Sequence, residues 1–232
     1  MKVAVTLFPG SNCDHDVLYT FNKLLSADSY LVWHRERDLG NPDAVIIPGG
    51  FSYGDYLRCG ALAKVSPVME SVIEFAGRGG PVLGICNGFQ ILCESGLLPG
   101  VLLQNIERKF LSRFVHIKVE NNSTPFSCQY QEGEIITCPI AHFEGNYFAS
   151  REELKALEDN GQVIFRYCDA DGKVAADDRA INPNGSLNSI AGVSNSKGNV
   201  VGLMPHPERA AEQLVGWVGG DSGLGVFKSL LS

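Results

Sequence analysis

The sequence predicts an α/β fold with a mostly parallel central sheet and antiparallel additions. Across the first hundred residues, short apolar runs rich in β-branched residues alternate with longer segments of helical period. This alternation is typical of βαβ units and a parallel sheet. Between residues 110 and 148, strand-like alternation (FVHIKVE) is mixed with turn-rich stretches, which favours antiparallel strands. With 232 residues and no repeat or linker, we expect one domain over residues 1–232.

The first half supplies the parallel strands. Residues 2–7 (KVAVTL) predict the first strand, and Asn12 or Asp14 is expected to cap the helix that follows. Residues 43–50 (DAVIIPGG) predict a buried strand that ends in a Pro-Gly-Gly turn. The next helical segment is expected to be broken or kinked at Pro67.

A further strand leads directly into a cysteine. Residues 81–85 (PVLGI) predict this strand, and the apolar spacing after Cys86 predicts a helix, so Cys86 lies at a strand-to-helix junction. Near the C-terminus, two strands are expected to form a hairpin about residues 197–199, and a helix is expected to begin near Glu208.

Composition excludes several classes of function. The net charge of -7 and the lack of a basic cluster argue against nucleic-acid binding. No apolar run approaches the roughly 20 residues of a membrane-spanning helix, and the first residues lack the pattern of a signal peptide. Seven cysteines without regular spacing indicate reduced thiols and no metal site. We therefore expect a cytoplasmic protein that binds a small ligand or another protein.

The heptapeptide GICNGFQ (residues 84–90) contains a candidate nucleophile. A cysteine on a tight turn between strand and helix is exposed on strained backbone, and the glycines at 84 and 88 leave room for it. The N-terminus of the helix favours a thiolate and offers free N–H groups. The alternative is a buried core cysteine in a packed turn, so catalysis by Cys86 requires a base elsewhere.

The segment MPHPE supplies a candidate base and a group to orient it. Prolines on both sides keep His206 out of a helix, and in extended chain His206 and Glu208 project to the same side. A carboxylate on one ring nitrogen would leave the other nitrogen to exchange protons with the thiol. Taken alone, the segment also fits a turn with a solvated glutamate.

The turn after the third strand offers a third element. Pro48-Gly49-Gly50 allows close approach of the backbone to a ligand, so the N–H near Gly50 is a candidate oxyanion donor together with that of Asn87. A plain turn into a helix is the alternative. Because ligands of such sheets bind at the carboxyl ends of the strands, the three motifs are expected to meet there.

In this order and on these elements, GICNGFQ, PGG and HPE resemble the class I glutamine amidotransferase family over almost the whole chain. The resemblance implies a flavodoxin-like three-layer sandwich. It also implies Cys86 as nucleophile, His206 as base and Glu208 as its orienting group. The backbone of Gly50 or Phe51, with that of Asn87, would form the oxyanion hole.

The resemblance further implies glutamine as substrate and glutaminase as the activity. Gln90 falls where the family holds the substrate amide. The remaining candidates for glutamine contacts lie on or near two strands of the middle region: Ser112, Arg113, Phe114, His142 and Glu144. For these, simple solvation at a strand end is the alternative.

Longer strings, among them GFSYGDYLRCGALA and PIAHFEGNY, resemble the members of this family that serve purine biosynthesis. This resemblance implies a large synthetase subunit, which would bind ATP and Mg²⁺ and use the ammonia, and a small third subunit. No cofactor is expected in this chain, which has no Walker-type phosphate loop. The aromatic segment FSYGDYLRCG, with Tyr53 and Arg58, is the candidate docking face.

Two other functions fit parts of the pattern. A stand-alone cysteine hydrolase or peptidase of the same fold would share the cysteine and a nearby histidine. A non-catalytic regulatory subunit would bind a synthetase without reacting with glutamine. The intact set of Cys86, His206 and Glu208, together with Gln90, weighs against both.

Overall fold

A computed structural model describes residues 1–215 and 220–232. The strands are, in chain order, β1 (Lys2–Leu7), β2 (Asp28–Trp33), β3 (Ala44–Ile47), β4 (Val82–Ile85), β5 (Val101–Leu103), β6 (Leu111–Val119), β7 (Ile135–His142), β8 (Asn146–Phe148), β9 (Val163–Cys168), β10 (Ile190–Ser194) and β11 (Val200–Leu203). The α-helices are α1 (Asp14–Tyr19), α2 (Pro67–Gly77), α3 (Asn87–Glu94), α4 (Arg151–Asp159) and α5 (Leu224–Lys228).

Most of these strands form a single mixed sheet in the order β2-β1-β3-β4-β11-β10-β9-β6-β7, and β5 pairs separately with β8. The pairs from β2 through β11 are parallel, and those from β11 through β7 are antiparallel. The predicted α/β fold with a parallel core and antiparallel additions is thus confirmed. The predicted hairpin is also present, because β10 and β11 pair on either side of residues 197–199.

Helices cover both faces of the parallel part. The strand order turns back at β1, and crossover connections are right-handed, so α1 lies on one face of the sheet and α2 and α3 lie on the other. The C-terminal α5 packs against the π-helical turn Thr20–Leu24 that continues α1: the rings of Phe21 and Phe227 pack edge to face, with centroids 5.4 Å apart. The result is the expected three-layer sandwich.

The parallel strands are buried on both sides, as their continuous apolar sequences require. Every residue of β3, β4 and β11 is buried. The strand β7 instead alternates between buried and half-buried residues, which fits a strand at the edge of the sheet. The turns that carry Gly50, Cys86 and His206 therefore follow strands that are buried throughout.

Some local predictions are wrong. The N-cap position of α1 is Cys13, without a side-chain capping bond, whereas the sequence predicts Asn12 or Asp14 there. The helix expected near Glu208 is a single 3₁₀ turn, Pro207–Ala210. The predicted break at Pro67 is confirmed, because a 3₁₀ turn ends before it and α2 begins on it. Among the described helices, none is long and apolar enough to cross a membrane.

Candidate active site

Four neighbouring parallel strands end at one edge of the sheet, and each is followed by a residue of the candidate site. Cys13 comes after β1, Gly50 after β3, Cys86 after β4 and His206 after β11. All four line one small cavity of about 50 Å³. The structure therefore brings together three motifs that lie up to 160 residues apart in the chain.

Cys86 occupies a strained turn between β4 and α3. Its φ and ψ are 51° and -104°, outside the regions that non-glycine residues favour, which costs on the order of 1–3 kcal/mol. Its N–H donates to the carbonyl oxygen of Leu203, and its Sγ lies 3.7 Å from the carbonyl oxygen of Ala141. A side chain at Gly88 would put a Cβ 1.9 Å from the carbonyl oxygen of Ile47, so only glycine allows α3 to begin this close to β3.

His206 and Glu208 form a buried pair. The Nδ1 atom of His206 lies 2.6 Å from Oε1 of Glu208, and both side chains are almost fully buried. The backbone N–H of His206 donates to the carbonyl oxygen of Pro139 in β7, which fixes the loop against that strand. Nε2 of His206 is buried without a hydrogen-bond partner in the described part of the chain. This nitrogen is therefore available to the thiol and to a substrate.

The pKa of His206 is raised well above its ordinary value. Burial by itself lowers this pKa, but the Glu208 carboxylate raises it, and Cys86 and Cys13 raise it further. The imidazolium form is thus stabilised next to Cys86, as a thiolate-imidazolium pair requires.

The candidate oxyanion donors differ in availability. The N–H of Asn87 lies in the first turn of α3, where no intrahelical acceptor exists. The N–H of Gly50 has no acceptor among the described residues, and its φ of +147° favours glycine. The N–H of Phe51 donates to the carbonyl oxygen of Gly10 at 2.9 Å. Gly50 and Asn87 therefore present free donors, whereas Phe51 would first have to break a bond.

The side chain of Gln90 makes one hydrogen bond within the protein at each end of its amide. Its Nε2 donates to the carbonyl oxygen of Glu144 at 2.6 Å, and its Oε1 accepts from Nδ2 of Asn87 at 2.9 Å. Each of these two atoms has capacity for one more hydrogen bond, so contact with a substrate amide would not require the loss of either bond. The loop carrying Glu144 is tied to α3 by the first of these bonds.

The candidates on β6 differ in their surroundings. Ser112 is paired in register with Ala141, whose carbonyl oxygen neighbours Cys86, so Ser112 lies beside the site. Arg113 donates to the carbonyl oxygens of Arg179 and Ala180, which directs its guanidinium toward that loop. Phe114 is half-buried one position further along the strand.

His142 is buried at the end of β7, and its tautomer can be deduced. The Nδ2 of Asn105 donates to the carbonyl oxygens of Lys109 and His142, so Oδ1 of Asn105 must accept from Nδ1 of His142. Nε2 of His142 is then an acceptor, buried and without a partner among the described residues. The pKa of His142 is lowered to about 3, by burial and then by His206, so the ring is neutral at ordinary pH.

Sequence reasoning missed two residues beside the imidazole. Sγ of Cys13 lies 3.8 Å from Nδ1 of His206, and Arg209 donates to this sulfur at 3.1 Å and to Asp16 at 3.2 Å. The available signals were the position of Cys13 just after the first strand and that of Arg209 next to Glu208. Neither position predicts a contact between residues that lie more than 190 positions apart in the sequence.

A thiol, an imidazole nitrogen and a carboxylate oxygen from Cys13, His206 and Glu208 lie within 4.8 Å of one another. The carboxylate already binds Nδ1 of His206, and the Arg209 guanidinium touches the sulfur. A metal ion would have to replace the contact between Glu208 and His206, and the nearby guanidinium of Arg209 would repel it. The arrangement therefore disfavours a metal ion.

Comparison with known proteins gives consistent results. Residues 1–218 match the family of CobB/CobQ-like glutamine amidotransferase domains. The chain is 56% identical to the phosphoribosylformylglycinamidine synthase subunit PurQ of Chlorobaculum parvum, over all of this chain and 90% of that protein. It is 53% identical to the protein of the same name from Gloeobacter violaceus, over all of this chain and 97% of that one.

Solved structures show the same similarity. A chain in the structure of PurLQS from Thermotoga maritima matches with a TM-score of 0.85 and 42% identity, over 99% of this chain and 97% of that one. A glutamine amidotransferase from Thermotoga maritima matches with a TM-score of 0.60 and 15% identity, over all of this chain and 96% of that one, and so shares the fold.

Proposed function

The chain belongs to the CobB/CobQ-like glutamine amidotransferase family, and we propose that it is the glutaminase subunit of a phosphoribosylformylglycinamidine synthase. The observation that carries this proposal is the meeting of Cys86 with the His206–Glu208 pair and two free N–H groups at the ends of adjacent strands. The relatives named above support the choice of pathway.

In the first half-reaction, the Cys86 thiolate attacks the side-chain amide carbon of L-glutamine. A C–S bond forms, and the electron pair of the carbonyl moves to its oxygen, which accepts hydrogen bonds from the N–H groups of Gly50 and Asn87. His206 gives its proton to the amide nitrogen, the C–N bond breaks, and ammonia leaves. A glutamyl thioester on Cys86 remains.

In the second half-reaction, water hydrolyses the thioester. His206 accepts the proton of the water as its oxygen attacks the carbonyl carbon, and the C–S bond then breaks to release glutamate and the thiolate. Glu208 holds Nδ1 throughout, so that Nε2 faces the reacting atoms. The cavity, with a volume of about 50 Å³, has room for only a few water molecules. We therefore expect the surrounding loops to open when glutamine binds.

The ammonia is used by a partner. Its acceptor is formylglycinamide ribonucleotide, which a large synthetase subunit converts to formylglycinamidine ribonucleotide with ATP and Mg²⁺, and a small third subunit completes the complex. PurLQS of Thermotoga maritima, by its name, supports this assembly. The seven cysteines all lie in the described residues and are free thiols, which supports a reducing, cytoplasmic location.

The docking face for the synthetase surrounds the site. Tyr56 and Leu57, on the loop after β3, are 70% and 79% exposed, and the half-exposed rings of Phe51 and Phe110 lie 6.3 Å apart near the cavity. Such an apolar group beside an active site fits a protein interface. Tyr53, by contrast, is held internally, because its hydroxyl bonds to His34 and Ser66.

Labelling tests the assignment of the nucleophile. The protein is treated with a chloroketone analogue of glutamine, with and without the large synthetase, and labelled peptides are identified by mass spectrometry. We expect the label on Cys86, together with loss of ammonia release from glutamine. A label on Cys13 or another cysteine, with Cys86 unmodified, would contradict the proposal.

A further inference from the structure

A chain of buried amides connects the two sides of the candidate oxyanion hole. The N–H of Ser52 donates to Oδ1 of Asn87 at 3.1 Å, Nδ2 of Asn87 donates to Oε1 of Gln90, and Nε2 of Gln90 donates to the carbonyl oxygen of Glu144. Asn87 and Gln90 are 2% and 5% exposed. Three segments thus meet through two side chains: the loop after β3, the start of α3 and the loop after β7.

The donor-to-acceptor direction of these hydrogen bonds is determined by the two backbone groups at the ends of the series, the N–H of Ser52 and the carbonyl oxygen of Glu144. A backbone N–H can only donate, so Asn87 must present its oxygen to Ser52 and its NH₂ group to Gln90. A backbone carbonyl can only accept, so Gln90 must present its NH₂ group to Glu144. Neither amide can flip without placing two donors or two acceptors against each other.

The loop after β3 needs such a restraint. Tyr53, Asp55 and Leu57 have φ values of 55°, 54° and 71°, and each such residue costs on the order of 1 kcal/mol relative to ordinary backbone. Strained backbone persists only where its surroundings hold it. The bond from Ser52 to Asn87 lies two residues from Gly50, and it joins the loop directly to the first residue of α3.

We propose that Asn87 is a positioning residue for the oxyanion hole: its side chain holds the loop after β3 against α3, so that the N–H groups of Gly50 and Asn87 converge on one oxygen. This role of the side chain is additional to the N–H that Asn87 supplies, and it rests on the proposed glutaminase function. Gln90 acts through Asn87, because it fixes which way the Asn87 amide points.

Loss of the Asn87 side chain should raise the free energy of the transition state, in which negative charge develops on the carbonyl oxygen of the substrate. Loss of one oxyanion donor typically lowers kcat by about 10²–10³-fold, and a displaced donor costs part of that. For Asn87→Ala we expect kcat for glutamine hydrolysis to fall by about 10–100-fold, with a much smaller change in KM. Asn87→Asp retains an acceptor for Ser52 but places an oxygen against Oε1 of Gln90, so it should also lower kcat.

The test uses the assembled complex with its synthetase. Ammonia release gives kcat and KM for wild type, Asn87→Ala and Asn87→Asp. A matched control is Ser52→Ala, which keeps the N–H that binds Asn87 and removes a buried hydroxyl that has no partner among the described residues. We expect this control to retain wild-type kinetics.

A second readout separates positioning from general disorder. Methyl methanethiosulfonate modifies a thiolate without any carbonyl, so its reaction with Cys86 does not use an oxyanion hole. Its rate and pH profile at Cys86, followed by peptide mass spectrometry, should match wild type in Asn87→Ala, whereas inactivation by the glutamine chloroketone should slow. Asn87→Ala with wild-type kcat, or with equal slowing of both reagents, would overturn the positioning role.

The two proposals fail in different ways. Wild-type complex that releases no ammonia from glutamine contradicts the glutaminase function and, with it, the positioning role. Active wild type together with fully active Asn87 variants contradicts the positioning role alone.

Discussion

The N–H of Cys86 donates to the carbonyl oxygen of Leu203 at 2.8 Å, and this bond joins the ends of β4 and β11. The two strands are parallel and in register, so the chain leaves both at the same level of the sheet. Cys86 comes directly after β4, and His206 comes three residues after Leu203, the last residue of β11. One backbone bond thus places the candidate nucleophile and the candidate base at the ends of neighbouring strands.

Replacement of Cys86 should abolish the use of glutamine but leave the synthetase reaction itself intact. In Cys86→Ala, glutamine-dependent synthesis by the assembled complex should fall to background because no thioester can form. Synthesis supported by added ammonium should persist. Cys128→Ala, at an exposed cysteine, serves as the control and should remain active. Glutamine-dependent activity in Cys86→Ala would contradict the assignment.

Glu208→Gln should impair the base while preserving its surroundings. The amide can still contact Nδ1 of His206, but it no longer stabilises the imidazolium that forms during catalysis. We expect kcat for glutamine hydrolysis to fall on the order of 100-fold or more. Glu212→Gln, in the same region but bonded to Tyr19, provides a matched control and should leave kcat within about twofold of wild type.

His142 should make the protein less stable in acid. Its pKa is about 3 in the folded state against about 6.5 in the unfolded chain, so the unfolded state binds more protons between these values. The contribution of the neutral ring is complete above pH 6.5 and is lost as the pH falls toward 3, at up to about 1.4 kcal/mol per pH unit.

Urea unfolding of wild type and His142→Gln between pH 4 and 7 measures this contribution. The variant should show the smaller loss of unfolding free energy on acidification. His15→Gln, at an exposed position, should follow wild type. Parallel curves for wild type and His142→Gln would contradict the assignment.

Gly88→Ala should disrupt the start of α3. The added Cβ would lie 1.9 Å from the carbonyl oxygen of Ile47, and because that atom belongs to a buried strand, it cannot easily move. We expect a loss of more than about 2 kcal/mol of unfolding free energy, or a folded protein without glutaminase activity. Gly77→Ala, at the end of α2, meets no atom within 4 Å and should be neutral or stabilising.

Leu57→Asp should weaken binding to the synthetase without unfolding the glutaminase chain. Leu57 is 79% exposed on the loop beside the site, so a charge there costs little in the free protein but would be buried in the complex. We expect at least a tenfold loss of affinity by titration calorimetry. Ile73→Asp, on α2, is the control. Equal affinity for wild type and Leu57→Asp would exclude this part of the loop from the interface.

The sequence by itself determined the parallel core and the candidate residues of the site. Apolar runs predicted the strands because buried strands have few other compositions, and Pro-Gly-Gly, the glycines around Cys86 and the prolines around His206 marked the turns after three of them. Parallel strands end at a common edge, so these local signals were enough to predict that the motifs meet.

Only the tertiary structure decided the contacts between distant segments. The approach of Cys13 and Arg209 to His206, the bond from Phe51 to Gly10 and the amides linking Ser52 to Glu144 depend on loop conformation and on distances of a few tenths of an ångström. Hydrophobic periodicity carries no information at that scale, because it records which face of an element is buried and not which polar atoms meet.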